Sequence, residues 1–214
     1  MAIVSVGIDL AKNVFAVHGV DESGKPALVR PSVSRAKLLE LIASLPPCLI
    51  GMEACSGAHE WGRRFQEHGH TVRLMAPKFV APYRMSGKRG KNDAADAAAI
   101  CEAVTRPTMR FVPIKTTDQQ AAAMVLKTRA LVVRQRTQAI NALRAHLAEL
   151  GIIAAGGVAK VETLIAIIRD DTDDRLPSPA RFALAMLAEQ IEALTKQIDK
   201  LERAIVTEVK LDGD

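Results

Sequence analysis

The stretch IVSVGIDLAKNVFAVHGVDESGKPALVRPSV, residues 3–33, decides the fold. Ile3–Asp9 is an apolar run with an acid at its end, and Asn13–Val20 is a second run rich in β-branched and aromatic residues. The cluster Asp21-Glu22-Ser23-Gly24 is a turn signal, and Ala27–Val33 follows as a third strand weakened by Pro31. Three strands joined by short connections imply an antiparallel meander.

Beyond residue 33 the period changes. Ser34 is placed to cap a helix over Arg35–Ser44, whose Leu38, Leu41, Ile42 and Leu45 share one face, and Pro46-Pro47 ends it. Cys48–Glu53 is a short apolar run of the kind that fills a central strand. A second helix is expected over about Ala58–His68, stopped by Gly69, and a strand over Thr71–Met75. Strands followed by helix, strand, helix, strand imply an α/β fold, a mixed sheet flanked by helices.

Pro77–Asn92 reads as a basic loop, and Asp93–Thr105 as an alanine-rich helix. Met109–Ile114 is an extended piece. Asp118 is expected to cap a long helix to Leu150, with Met124, Leu131, Ile140, Leu143 and Leu147 as its apolar contacts. Ala154–Gly157 reads as a linker and Lys160–Ile168 as a short helix. In the last segment Leu184, Leu187, Ile191, Leu194, Ile198, Leu201 and Ile205 alternate three and four apart, a heptad seam. That seam implies a helical coiled coil, formed within the chain or between subunits of a homo-oligomer. The expected domains are 1–152, ending in the long basic helix, and 153–214, the coiled-coil segment.

Composition narrows the classes. The 214 residues carry a net charge of +5, a mild excess that suits a polyanionic partner without requiring one. Cys48, Cys55 and Cys101 form neither a CxxC pair nor a disulfide framework, which fits a reducing cytoplasm. The N-terminal apolar run lacks a basic flank and is broken by Asp9, so neither a signal peptide nor a membrane span is expected.

Four acids stand out. Asp9 and Glu53 each end a strand, and neighbouring strands would bring them together. Asp93 and Asp96 lie three apart on a helix and share a face. Four converging carboxylates repel unless a cation lies among them, and hard oxygen donors select Mg²⁺ or Mn²⁺. Any one of the four could instead be a turn former or a helix-start acid.

The words GIDLAK (7–12), GMEACSGAHEW (51–61) and KNDAADA (91–97) resemble the N-terminal half of the DEDD-type transposase family of bacterial insertion sequences. That family includes Piv-type DNA invertases and RNA-guided bridge recombinases. The resemblance covers roughly the first 150 residues. It implies an RNase H-like (RuvC-like) fold, with Asp9, Glu53, Asp93 and Asp96 as the catalytic, metal-binding tetrad. It also implies DNA strand cleavage and exchange with Mg²⁺ or Mn²⁺, with DNA as partner and a structured guide RNA as a further partner in some members. Full-length members carry a C-terminal domain bearing a serine nucleophile. Residues 153–214 do not resemble it, so the chain reads as a fragment, inactive alone in full recombination.

Lys12, Arg84, Lys88, Arg89, Lys91, Arg129, Arg134 and Arg136 are the expected nucleic-acid contacts, the middle group because their basic run abuts Asp93. Ser56 and Gly57 read as a helix start, and Trp61 and Phe65 as core. His59, His68 and His70 read as surface or structural. Two other classes compete. An actin-like or sugar-kinase ATPase would need hydroxyl and glycine residues after Asp9, where Leu10-Ala11-Lys12 stand. A non-catalytic RNA-binding coiled-coil module would leave the placement of the four acids unexplained.

Overall fold

The structure is a computed structural model that describes residues 2–84, 93–154, 157 and 160–211, with the side chains of residues 93 and 208–211 outside that description. It divides into two compact units, Met1–Thr117 and Asp118–Asp214. The long helix therefore groups with the later helices, whereas the sequence reading attached it to the first domain.

The first unit is built on a six-stranded sheet in the order β3-β2-β1-β4-β5-β6. Strands β1 (Ile3–Asp9), β2 (Val14–Asp21) and β3 (Pro26–Ser34) form the expected antiparallel meander. Asp21 closes the β2–β3 turn by accepting hydrogen bonds from the Ser23 hydroxyl at 2.7 Å and from the Ser23 and Lys25 amides at 2.9 and 3.0 Å. These bonds favour the ionised form and hold the Asp21 carboxyl below its ordinary range, the Ser23 hydroxyl contributing most. Pro31 is tolerated because β3 is the sheet edge and its register slips there: Phe15 faces Val33 but Val17 faces Arg30.

The chain then crosses through α1 (Arg35–Ala43) to β4 (Leu49–Glu53), which lies parallel to β1. It crosses again through α2 (Ala58–Glu67) to β5 (Thr71–Met75), parallel to β4. The short β6 (Phe111–Val112) pairs antiparallel with β5. Where a loop was expected from Pro77, a four-residue helix α3 (Pro77–Val80) and a 3₁₀ turn (Ala81–Tyr83) form. Next along the described chain is α4 (Asp93–Val104). This mixed sheet flanked by helices is an RNase H-like fold.

The core explains the crossings. Val6, Ile8, Ile50, Met52 and Leu74 are fully buried on the central strands, as are Leu38, Ile42 and Phe65 on the helices packed against them. Trp61 stacks on Phe65 and meets Phe15 of β2 edge-on, both at 5.5 Å, and so fastens α2 to the sheet. His70 is buried and structural, with Nδ1 accepting from the Cys48 amide and Nε2 facing the Ile42 carbonyl at 3.0 Å.

Helix α4 lies unusually close to the sheet. A methyl group added at Gly7 would fall 2.2 Å from the Ala97 carbonyl oxygen and 2.3 Å from the Cys101 amide nitrogen. One added at Gly51 would fall 2.7 Å from Val104 Cβ. Only the missing Cβ atoms at these two positions allow the helix backbone to approach the strands so closely.

The second unit holds α5 (Thr117–Ala148), α6 (Val161–Arg169) and α7 (Ser178–Leu211). Leu143 and Leu147 of α5 share a core with Leu164 and Ile168 of α6 and with Leu184 and Ile191 of α7. Further along, Val132 packs with Leu194 and Ile198, and Arg129 pairs with Glu202. Early α5 thus meets late α7, and the two helices run antiparallel. Four of the seven seam residues, Leu184, Ile191, Leu194 and Ile198, are buried inside the unit, together with Ala188 between them. That stripe is wider than a strict heptad seam and is what helix packing within a bundle requires. Met124 and Leu131, expected to make apolar contacts, are exposed instead, because α5 turns the face of Ile140, Leu143 and Leu147 inward. Among the described residues, no helix is long and apolar enough to cross a membrane.

Candidate functional site

The site follows from strand register. In the parallel β1–β4 pair Ile8 faces Met52, so the next residue on each strand, Asp9 and Glu53, ends two neighbouring strands at the same sheet edge. The strand order switches direction at this point, since β1 runs to the meander on one side and to the parallel crossovers on the other. Open α/β sheets bind their ligands at such carboxyl-terminal switch points.

The third acid arrives on α4. Gly7 sits under the helix at Ala97 and Cys101, so Asp96, the neighbour of Ala97, is carried to the same edge. Both Glu53 and Asp96 contact one cation. Arg84 Nη2 donates to Glu53 Oε1 at 2.6 Å, and Arg84 Nε lies 2.9 Å from Asp96 Oδ1. The second contact is not aligned as a hydrogen bond, which leaves Nε as a buried donor without an acceptor. It is an ion pair without direction.

The carboxylates are held partly out of water, with side-chain exposures of 14% for Glu53 and 20% for Asp96. Burial raises the Glu53 carboxyl above its ordinary value, Arg84 opposes that rise, and the charge of Asp96 adds to it. Cys55, two residues on, registers the same field. Its thiol is raised first by the protein packed beside it and then by the charges of Glu53 and Asp9. A shift in this direction disfavours the thiolate, the nucleophilic form of cysteine.

The residues named from sequence fare differently. Asp9, Glu53 and Asp96 come to one edge of the sheet. Asp93 opens α4, three residues before Asp96, and its side chain lies outside the described residues. Among the described residues no three His, Cys, Asp or Glu side chains close into a ready-made metal cage. Arg84, expected to contact a phosphate, instead faces the two acids. Lys88, Arg89 and Lys91 lie outside the described residues. In the second unit Arg129 is paired with Glu202, Arg134 is exposed and Arg136 is half-buried.

Sequence reasoning missed Arg35, taken only as the first residue of a helix. The structure puts it with Lys12 in a cleft beside the acids. Its contact with Trp61, 26 residues further along the chain, left no local signal.

One guanidinium thus meets both carboxylates, hydrogen-bonded to Glu53 and in an unaligned ion pair with Asp96. The donor set is all hard oxygen, so these residues fit a divalent ion of the Mg²⁺ class. Fold and edge together define an RNase H-like domain with an acidic cluster at its strand ends. A family model described as a transposase, the IS110 group of the DEDD type, matches residues 6–152. The chain belongs to this DEDD-type insertion-sequence transposase family. It is 44% identical to a Sinorhizobium fredii protein named as a transposase (y4pF/y4sB), over 94% of this chain and 52% of the relative. It is 43% identical to a "Probable family 20 transposase" of Pseudomonas aeruginosa, over 100% of this chain and 62% of that protein. A transposase for insertion sequence element IS1328 from Yersinia enterocolitica is 38% identical, over 94% and 58% respectively. The chain thus spans between half and two thirds of the length of these relatives.

Proposed function

We propose that this chain supplies the metal-binding part of a DNA transposase, with Asp9, Glu53, Asp93 and Asp96 as the ligands of Mg²⁺ or Mn²⁺. The observation that carries this reading is the Arg84 guanidinium bridging Glu53 and Asp96 beside the end of β1. A bound divalent ion would activate the attacking oxygen and stabilise the leaving one at a phosphodiester. The chain's own residues do the rest. The parallel β1–β4 pair fixes Asp9 and Glu53 on rigid strand ends, and the close seat of α4 on Gly7 holds Asp96 against them. Arg84 balances the charge of Glu53 and Asp96, the residues that with Asp9 and Asp93 would hold the metal ion. The partner of this edge is DNA; in the second unit, taken by itself, Arg134 and Arg136 on α5 are basic residues suited to a nucleic-acid backbone.

The test is direct. Titration of Mn²⁺ into the wild-type chain should give a saturable isotherm, and Asp9→Asn or Glu53→Gln should weaken it at least tenfold, about 1.4 kcal/mol. Equal Mn²⁺ affinity in both variants, with folding intact by circular dichroism, would remove the metal assignment.

A further inference from the structure

A cleft of about 490 Å³ opens beside the acidic edge, lined by Leu10, Ala11, Lys12, Arg35, Cys55 and Ser56 together with Gly57. It begins where the site ends. Lys12 follows Asp9 by three residues and Cys55 follows Glu53 by two. Its volume lies within the roughly 300–1,000 Å³ range of small-ligand sites.

Its charge is one-signed. Lys12 and Arg35 are both exposed, and among the described residues neither is ion-paired with a carboxylate. Arg35 is also held in place. Its guanidinium carbon lies 5.3 Å from the Trp61 ring centre and 5.9 Å from that of Phe15, and Nη1 donates to the Lys12 carbonyl at 3.2 Å. An arginine fixed against aromatic faces loses little side-chain freedom when it takes up an anion, and its remaining N–H donors suit a phosphate. The Lys12 carbonyl bond ties the two cations into one unit.

We infer that this Lys12–Arg35 cleft is a phosphodiester subsite, holding the DNA backbone one to a few nucleotides from the phosphate that meets the carboxylates. Three extended residues from Asp9 to Lys12 reach at most about 10–11 Å. Successive phosphates advance about 3.4 Å per strand along the duplex axis, so the cleft addresses a phosphate within roughly three nucleotides of the acids. Repulsion between the acids and DNA needs such a counterpart, because a cation pair beside the cluster draws the backbone in where the carboxylates alone would push it away. This subsite deepens the transposase reading and rests on it for the identity of the strand, while its own test does not pass through metal.

The experiment measures binding of a labelled DNA duplex to the 214-residue chain by fluorescence anisotropy across salt concentrations, in EDTA. Lys12→Gln and Arg35→Gln are compared with Lys25→Gln, which makes the same charge change at the β2–β3 turn, at the opposite end of β2 from the acids. Each cleft variant should lower affinity several-fold near 0.1 M salt and flatten the slope of log K against log salt by about 0.9. The Lys25 control should do neither. Unchanged slopes in the cleft variants, or an equal loss in the control, overturn the subsite. A flattening seen with an RNA duplex and absent with DNA overturns its assignment to DNA. Lys12 lies on an exposed connection, so its variant keeps the test valid if Arg35→Gln unfolds. A loss of slope with intact Mn²⁺ binding supports the subsite. Loss of slope in the cleft variants, together with Mn²⁺ binding that ignores Asp9 and Glu53, sinks the metal reading and leaves the subsite standing.

Discussion

Replacing Gly7 with alanine tests whether the seat of α4 is what assembles the site. The added Cβ would meet Ala97 O at 2.2 Å, Cys101 N at 2.3 Å and Cys101 Cα at 2.8 Å, all backbone atoms that no rotamer change can move aside. Ordinary carbon contacts need about 3.5 Å, so α4 must retreat by about 1 Å or β1 must buckle. Overpacking of this kind costs about 1–3 kcal/mol and occasionally more. A backbone clash belongs at the upper end, about 3 kcal/mol. For a unit of this size each kcal/mol lowers the melting temperature by roughly 3–6 °C, so Gly7→Ala should melt about 10–15 °C below wild type. A retreat of about 1 Å also exceeds the roughly 0.5 Å tolerance of a metal constellation, so Mn²⁺ affinity should fall at least tenfold even in variants still folded at low temperature. Gly19→Ala is the comparison, since its Cβ would meet only side-chain atoms, at 3.2–3.4 Å from Leu28, Ile3 and Val6. It should cost about 1 kcal/mol or less. Thermal melts by circular dichroism and Mn²⁺ titration read both effects. A Gly7→Ala protein that melts within about 2 °C of wild type and binds Mn²⁺ normally would refute the helix-seat argument.

Two further outcomes follow from the same edge and from the turn at its far end. Arg84→Ala should tighten Mn²⁺ binding by up to about fivefold, since two partly exposed ion pairs at up to about 0.5 kcal/mol each no longer compete with the metal. Weaker Mn²⁺ binding in that variant would mean that Arg84 helps to hold the acids in place. At the turn, Asp21 titrates lower in the folded chain than in the unfolded one, so its stabilising contribution is present above the ordinary carboxylate range and is lost as pH falls through its depressed folded value. Denaturant midpoints should therefore fall less for Asp21→Asn than for wild type between pH 5 and pH 3, and parallel acid limbs would contradict that account.

What the sequence determined was periodicity and punctuation. Strand–turn–strand patterning in residues 3–33 gave the meander, and the run Cys48–Glu53, bounded by Pro47 and Ser56, gave a central strand ending in an acid. Both signals are local, because hydrophobic period and turn chemistry are written in neighbouring residues. The words around Asp9, Glu53 and Asp96 carried the family.

Tertiary structure decided what depends on residues far apart in the chain. The sequence offered a heptad seam for a partner of either origin. The fold buries much of it against α5 within one unit, because α5 presents Val132, Ile140 and Leu143 at matching heights. Arg84 read as a phosphate contact, yet it faces Glu53 and Asp96, 31 and 12 residues away in sequence. Arg35 gave no signal at all until Trp61 and Phe15 packed beneath it. Gly7 is one residue of an apolar strand in the sequence, and only the approach of α4 shows that its missing side chain lets Ala97 and Cys101 lie against β1. Spacing along the chain names the acids; the closeness of helix to strand, fixed by steric exclusion, carries Asp96 to the edge where Asp9 and Glu53 end.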